Sequence, residues 1–266
     1  MKDYLSFLRA RNGPLLATGR YLNRERSVEA MQASEVRFQG SFDQELFDRL
    51  YSGEASDSET TLGHLLLVAF TRINAAEAYG VNVVSDVRKF QADSSDLMHQ
   101  VQHVLHNEEH YHTRILVGAT HHYGVTAPGA FVPPTALKIL IHSLARSPKM
   151  WFHPILLASE IGGVFMMNWL LERIGQWVPQ TDLRESLEAR LIEILIDEVG
   201  HVAFNRLAVG DAGLGIGRML APLVTSSMPA ITPELKSLGF SEAVQEMGDF
   251  DIDQLPRDVL DRAFYT

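Results

Sequence analysis

A glutamate inside an apolar helical stretch is costly to bury unless it is paired or holds a metal. This chain places one in each of four long helical segments. Glu77 lies in Ile73-Asn74-Ala75-Ala76-Glu77-Ala78-Tyr79, and Glu160 in Leu156-Leu157-Ala158-Ser159-Glu160-Ile161-Gly162-Gly163-Val164. Glu109 opens Glu109-His110-Tyr111-His112 and Glu198 opens Glu198-Val199-Gly200-His201, so both begin Glu-x-x-His pairs. Residues three apart on an α-helix share a face, and each pair can present a carboxylate and an imidazole to one point. The separations are 32 residues from 77 to 109 and 38 from 160 to 198. Each allows one long helix, a turn, and a return to the same height in an antiparallel neighbour. The pattern is a degenerate repeat of helix pairs. It predicts a dinuclear cage of Glu77, Glu109, His112, Glu160, Glu198 and His201. The competing reading makes Glu109 and Glu198 solvent-facing, but the apolar neighbours of Glu77 and Glu160 resist it.

The remaining chain also reads as helices. Residues 1–60 suggest short amphipathic helices parted by turns at Asn12-Gly13-Pro14 and at 52–58. One long helix is expected over 64–90, and Asp93-Ser94-Ser95-Asp96 offers N-caps for a second that runs to about His122. Residues 124–134 read as a loop and 135–147 as a shorter connecting helix. A third long helix is expected from near Trp151 or Pro154 to about Trp177, with His153-Pro154 at or outside its start. A fourth runs from about Leu183 to Val209 and stops at the glycine cluster 210–217. A helix near 218–227 and an acidic tail, broken at Pro233 and Pro256, complete the chain; the acidic stretch from Glu242 to Asp261 reads as a solvated flank or as a cover packed over a substrate entrance. Period-2 segments are almost absent. The expected fold is all-α, a single domain over 1–266 with a four-helix bundle at about 61–209 and extra N- and C-terminal helices.

Composition narrows the chemistry. With no cysteine, the chain cannot build disulfides, thiolate zinc sites, iron–sulfur clusters or a thiol nucleophile, so any metal is held by oxygen and nitrogen. Asp and Glu outnumber Lys and Arg by 33 to 23, a net charge of −10, which argues against a nucleic-acid partner. The first residues lack a signal pattern, and no uninterrupted apolar run of about 18 residues offers a membrane span. A cytoplasmic protein without a membrane partner is the expectation.

A second layer is legible beside the cage. Metal-bound histidines usually donate their other ring N–H to a carboxylate or carbonyl. Glu108 and Asp197 each precede a ligand glutamate, and crossed pairs are expected, Asp197 with His112 and Glu108 with His201. His106, three residues before Glu109, reads as a seventh ligand or a supporting histidine. Gly162 and Gly163 inside a helix suggest either room for a substrate beside Glu160 or close helix packing, and Gly80 and Gly200 allow the same two readings. Met166 and Met167 could line a pocket or form plain core; Tyr79, Tyr111 and Trp169 read as packing or as electron carriers.

These residues together resemble the ferritin-like di-iron carboxylate superfamily, whose likeness covers about 61–209 and rests on Glu77, Glu109, His112, Glu160, Glu198 and His201. Members store iron, reduce peroxide, generate radicals, or oxidise small molecules and lipids. The acids before each Glu-x-x-His match its oxygenase branch. Leu116 stands where ribonucleotide reductase small subunits carry their radical tyrosine, and Val164 where bacterial multicomponent monooxygenases carry threonine. The chain is similar to the di-iron arylamine N-oxygenase type, but Ile194 occupies the place of that group's additional histidine ligand. The resemblance implies two iron ions, or a manganese–iron pair, since a mixed N/O donor set does not select between them. It further implies O₂ as co-substrate, a small organic substrate to be hydroxylated or N-oxygenated, an external electron donor and a homodimer. No catalytic residue beyond the ligands is singled out. An iron-handling ferroxidase and a metal-stabilised binding protein are the alternatives, and an apolar cavity beside the metals would favour the oxygenase.

Overall fold

The computed structural model describes residues 1–35, 38, 40–55, 61–127 and 132–265. Parts of the turn expected at 52–58 and of the loop expected at 124–134 therefore lie outside the described residues. Among those described, the regular structure is helical, with one isolated bridge between Leu15 and Tyr21.

Three short helices come first, α1 (Lys2–Asn12), α2 (Leu22–Glu35) and α3 (Gln44–Ser52). Asp43 caps α3 by accepting from the Leu46 N–H, and Gly53 ends it in the left-handed region at φ 78°. Helix α4 (Leu62–Arg88) follows, then α5 (Leu97–His122), whose N-cap Asp96 accepts from the Met98 N–H as the polar break predicted. Helix α6 (Thr135–Arg146) leads into α7 (Lys149–Trp177). Helix α8 (Thr181–Ile231) is followed by short helices α9 (Glu234–Ser237), α10 (Phe240–Ala243) and α11 (Arg257–Arg262).

Three expectations need correction. Helix α7 begins at Lys149, so His153 and Pro154 lie inside it, both buried. The fourth long helix does end at the glycine cluster, but the helix expected near 218–227 begins directly after the break instead. Only Gly210 leaves helical geometry, at φ 63° and ψ −176°, and a second half then runs on to Ile231. The physical reason is a stripe of small residues at four-residue spacing, Gly213, Gly217, Ala221 and Thr225, all buried. A Cβ on Gly217 would stand 2.8 Å from Leu157 Cδ2, and one on Gly162 2.5 Å from Thr225 Oγ1, so backbone-close packing against α7 keeps the segment helical. Third, the acidic tail is not merely a solvated flank: Leu235, Phe240, Met247, Leu255 and Val259 are buried in the main core and Glu234 is buried against Arg72, while the acids from Glu242 to Asp261 are exposed.

The most extensive packing joins α7 to α8, and α4 lies along α5 while touching α6, α7 and α8. Helix α5 also meets α8, and α1 and α2 lie against α5. Leu66, Leu67, Phe70, Ile115, Leu116, Leu170 and Leu191 are fully buried in the core so formed. At about 1.5–3 kcal/mol for each such side chain, this core is the main source of stability. A smaller cluster of Tyr4, Leu5, Leu8, Val101, Val104 and Phe204 fastens α1 to α5 and α8. By length and composition, α7 and α8 could each cross a membrane; the most apolar stretch of α7 is 56% buried in this fold, that of α8 only 17%.

Candidate metal centre

Each long helix delivers its predicted glutamate to one place. Glu77 comes from α4, Glu109 and His112 from α5, Glu160 from α7, and Glu198 and His201 from α8. Ligand atoms of Glu77, Glu109, His112 and Glu198 lie within 4.8 Å of one another, and so do those of Glu109, Glu160, Glu198 and His201. The two groups share Glu109 and Glu198. Glu109 points Oε2 at His112 Nδ1 (3.3 Å) and Oε1 at His201 Nδ1 (3.0 Å). Glu198 does the same with Oε1 to His112 (3.3 Å) and Oε2 to His201 (3.9 Å). Glu77 belongs to the His112 side and Glu160 to the His201 side. The geometry is that of two neighbouring donor groups, each able to hold a cation, that share two carboxylates.

The crossed second layer is present. His112 Nε2 lies 3.1 Å from Asp197 Oδ2, and His201 Nε2 lies 3.2 Å from Glu108 Oε2. Both imidazoles thereby turn Nδ1 toward the cluster. Those two Nδ1 atoms, with Glu77 Oε2 and Glu109 Oε2, are buried and make no well-aligned hydrogen bond. Buried polar atoms without a well-aligned hydrogen bond are rare in folded proteins, and four of them within the two donor groups fit bound cations. The four ligand carboxylates also match the charge of two divalent ions. The donor set, carboxylate oxygen and imidazole nitrogen, suits iron or manganese.

The electrostatics of the metal-free cluster point the same way. Burial, then the neighbouring Glu109, pushes the Glu77 carboxyl well above the usual range; burial and Glu198 do so for Glu160. Burial opposes ionisation of Glu109, but His201 and His112 outweigh it and hold that carboxyl low. Burial likewise opposes protonation of the imidazoles. Asp197 and Glu109 outweigh it for His112, Glu109 and Glu108 for His201, and both are raised. In Glu77, Glu160, His112 and His201 the shift favours the protonated form, and in Glu109 the ionised one.

What the sequence did not disclose is the closure on the far side of Glu108 and Asp197. Arg24 of α2 is buried, and its Nη2 donates to Glu108 Oε1 (2.9 Å) and to Asp197 Oδ1 (2.6 Å). Arg11 of α1 donates Nε to Asp197 Oδ1 (2.7 Å) and Nη2 to Glu193 Oε2 (3.2 Å). Asn12 gives its amide to Glu108 Oε1 (2.7 Å) and accepts from Arg24 Nε. Arg24 also lies over the Tyr111 ring, 4.7 Å from its centroid. A chain of polar contacts thus runs His112–Asp197–Arg24–Glu108–His201. Burial alone would raise Asp197, but Arg24 and Arg11 hold it well below the usual carboxylate range. Arginines on short amphipathic helices look like surface residues, and no local signal marks these two. Tyr4 of α1 is equally unforeseen; its fully buried hydroxyl occupies the space a side chain at Gly200 would need.

Other candidates separate cleanly. His106 is not among the clustered donors; its Nε2 lies 3.1 Å from His110 Nε2 and it lines a cavity. His153 Nδ1 faces Asn205 Oδ1 at 3.3 Å, away from the clustered donors. Tyr79 reaches His142 on α6 (3.3 Å), while Trp169 packs on Trp177 and Phe240. Gly162 serves close packing, whereas a Cβ on Gly163 would be in ordinary contact with Glu198 Oε2 at 3.7 Å. Gly163 therefore faces the site, and Met166 and Met167 line the cavity beyond it.

That cavity, about 440 Å³, lies among α4, α5, α6, α7 and the second half of α8. Glu77, Glu109, Glu160, Glu198 and His201 form one wall, and the rest is largely apolar, with Leu105, Ile141, Phe152, Met167 and Val224 among its residues. No Lys or Arg lines it among the described residues. No family model, curated protein or solved structure matches the chain.

Proposed function

We propose that this chain is a non-haem di-iron oxygenase, built on a ferritin-like four-helix bundle, that uses O₂ to hydroxylate or N-oxygenate a small organic substrate. The observation that carries this reading is the apolar cavity whose wall is the carboxylate–histidine cluster itself. Glu77, Glu109 and Glu198 with His112 would hold one ion, and Glu160, Glu109 and Glu198 with His201 the other. Bound iron would supply the redox chemistry of O₂ activation. The chain's own residues do the rest. Asp197 and Glu108 orient the imidazoles, Arg24 and Arg11 hold Asp197 ionised while Arg24 also donates to Glu108, and the apolar lining holds a substrate against the cluster while excluding water. A largely apolar lining suits an uncharged, apolar molecule. Reducing equivalents would come from a separate donor.

The test is anaerobic iron loading, metal analysis, and O₂ exposure with a panel of apolar amines and hydrocarbons. Two irons per chain and ¹⁸O from labelled O₂ in a product support the oxygenase. Repeated turnover of added iron with no organic product would replace it with an iron-handling protein. Unchanged metal content in Glu77→Ala and His201→Ala would remove the six-ligand site altogether.

A further inference from the structure

We propose that the face made by α6, the first turn of α7 and the second half of α8 docks on an anionic lipid surface. Ten large apolar side chains are exposed among the described residues, and six fall on these three segments. Ile139 and Leu140 of α6, Met150 and Trp151 of α7, and Met219 and Leu223 of α8 are each 50–70% exposed. Clustered exposed apolar residues mark contact surfaces rather than ordinary solvent-facing ones.

Charge selects the occupant. In a chain of net charge −10, residues 135–159 and 212–233 contain no Asp or Glu. They carry Lys138, Arg146, Lys149 and Arg218, and none of these has an ion-pair partner among the described residues. Apolar and aromatic side chains beside unpaired cations are the composition of helices that lie in the headgroup region of anionic membranes. A second copy is the weaker occupant, because a two-fold axis through this face would set the same four cations against themselves. The segment of α8 cannot leave the fold to span a bilayer alone, since its stripe Gly213, Gly217, Ala221 and Thr225 is packed on α7. It lies on a membrane, not through it. The expectation of no membrane partner rested on the lack of a spanning run, which does not bear on a face assembled from three segments.

The face also continues inward. Leu137, Leu140 and Ile141 of α6 and Val224, Met228 and Ile231 of α8 line the apolar cavity, so a docked molecule would set that cavity against the lipid. The docking itself does not depend on the oxygenase reading.

Flotation of the full-length, metal-loaded protein with vesicles tests this. Binding is expected to vesicles of phosphatidylglycerol and phosphatidylcholine, to weaken on pure phosphatidylcholine, and to fall as salt rises from about 0.1 to 0.5 M. Each cation contributes about fivefold in affinity, so Lys149→Glu with Arg218→Glu should lower binding by at least about 25-fold. Met219→Asp with Leu223→Asp should abolish it, while the distant Arg26→Glu leaves it unchanged. All these positions are exposed, and circular dichroism verifies that the variants fold. Absence of flotation on anionic vesicles overturns the proposal, as does equal flotation of every variant. A dimer in sedimentation that Leu223→Asp dissolves, with no flotation, would instead make the face a contact between copies.

Discussion

The two flanks of the metal cluster are built from opposite materials. On the α1–α2 side, Arg11, Asn12 and Arg24 surround Glu108 and Asp197 with charge-assisted hydrogen bonds. On the other side a cavity free of Lys and Arg begins directly at Glu77, Glu109, Glu160 and Glu198. The contrast divides the work. The charged flank orients the imidazoles, and in the oxygenase we propose the apolar flank would admit the reactant and keep water out. A cluster walled on both sides by arginine would hold metal and admit nothing; one walled by apolar residues alone would leave two second-layer carboxylates buried and uncompensated.

The sharpest way to break this division is Arg24→Met. It leaves Glu108 and Asp197 buried with less cationic compensation, and an expected loss of about 3–5 kcal/mol follows. Urea unfolding of the chelator-treated protein measures it. A loss below about 1 kcal/mol would mean that Arg11 alone suffices. Next in size is Asp197→Asn, which keeps the shape but weakens the hold on His112; metal affinity should fall about 10–100-fold, read by competition with a chelating dye.

Proton competition separates the flanks further. Glu77 and Glu160 are raised by burial and neighbouring acids, so their ionisation disfavours the folded metal-free protein above the usual carboxylate range. His112 and His201 are also raised, and the stability they contribute is present below about pH 6.5 and lost as pH climbs through their folded values. Asp197 has the opposite sign, contributing above its unfolded value and losing that contribution only in strong acid. The melting temperature of metal-free protein should therefore fall between about pH 5.5 and 8.5, whereas that of metal-loaded protein should not, because cations take the place of those protons. Parallel curves would remove the cations from the account.

Packing changes on the apolar flank are the smallest. Gly162→Ala drives a Cβ against Thr225 Oγ1 and should cost about 1–3 kcal/mol in thermal unfolding. Gly215→Ala, with open space around it, should be neutral or stabilise by up to about 1 kcal/mol. Ser159→Leu projects into the cavity and should impair turnover of bulky substrates with two metals still bound.

The all-helical character and all six clustered donors were legible without coordinates, because helical periodicity is local. A buried glutamate announces itself through its immediate apolar neighbours, and Glu-x-x-His spacing places two donors on one face whatever surrounds the helix. The crossed pairs of Asp197 with His112 and Glu108 with His201 followed from the same periodicity applied one residue earlier. Tertiary structure alone decided the rest. Arg24 meets Asp197 across 173 residues of sequence, and nothing near Arg24 encodes that meeting. The second half of α8 is helical through Gly213 and Gly217 because α7 offers a groove for small residues, a contact that overrides local glycine propensity after the break at Gly210. The cavity exists only where α4 to α8 fail to fill the space between them, so its volume and its apolar walls belong to the assembled helices and to no single segment.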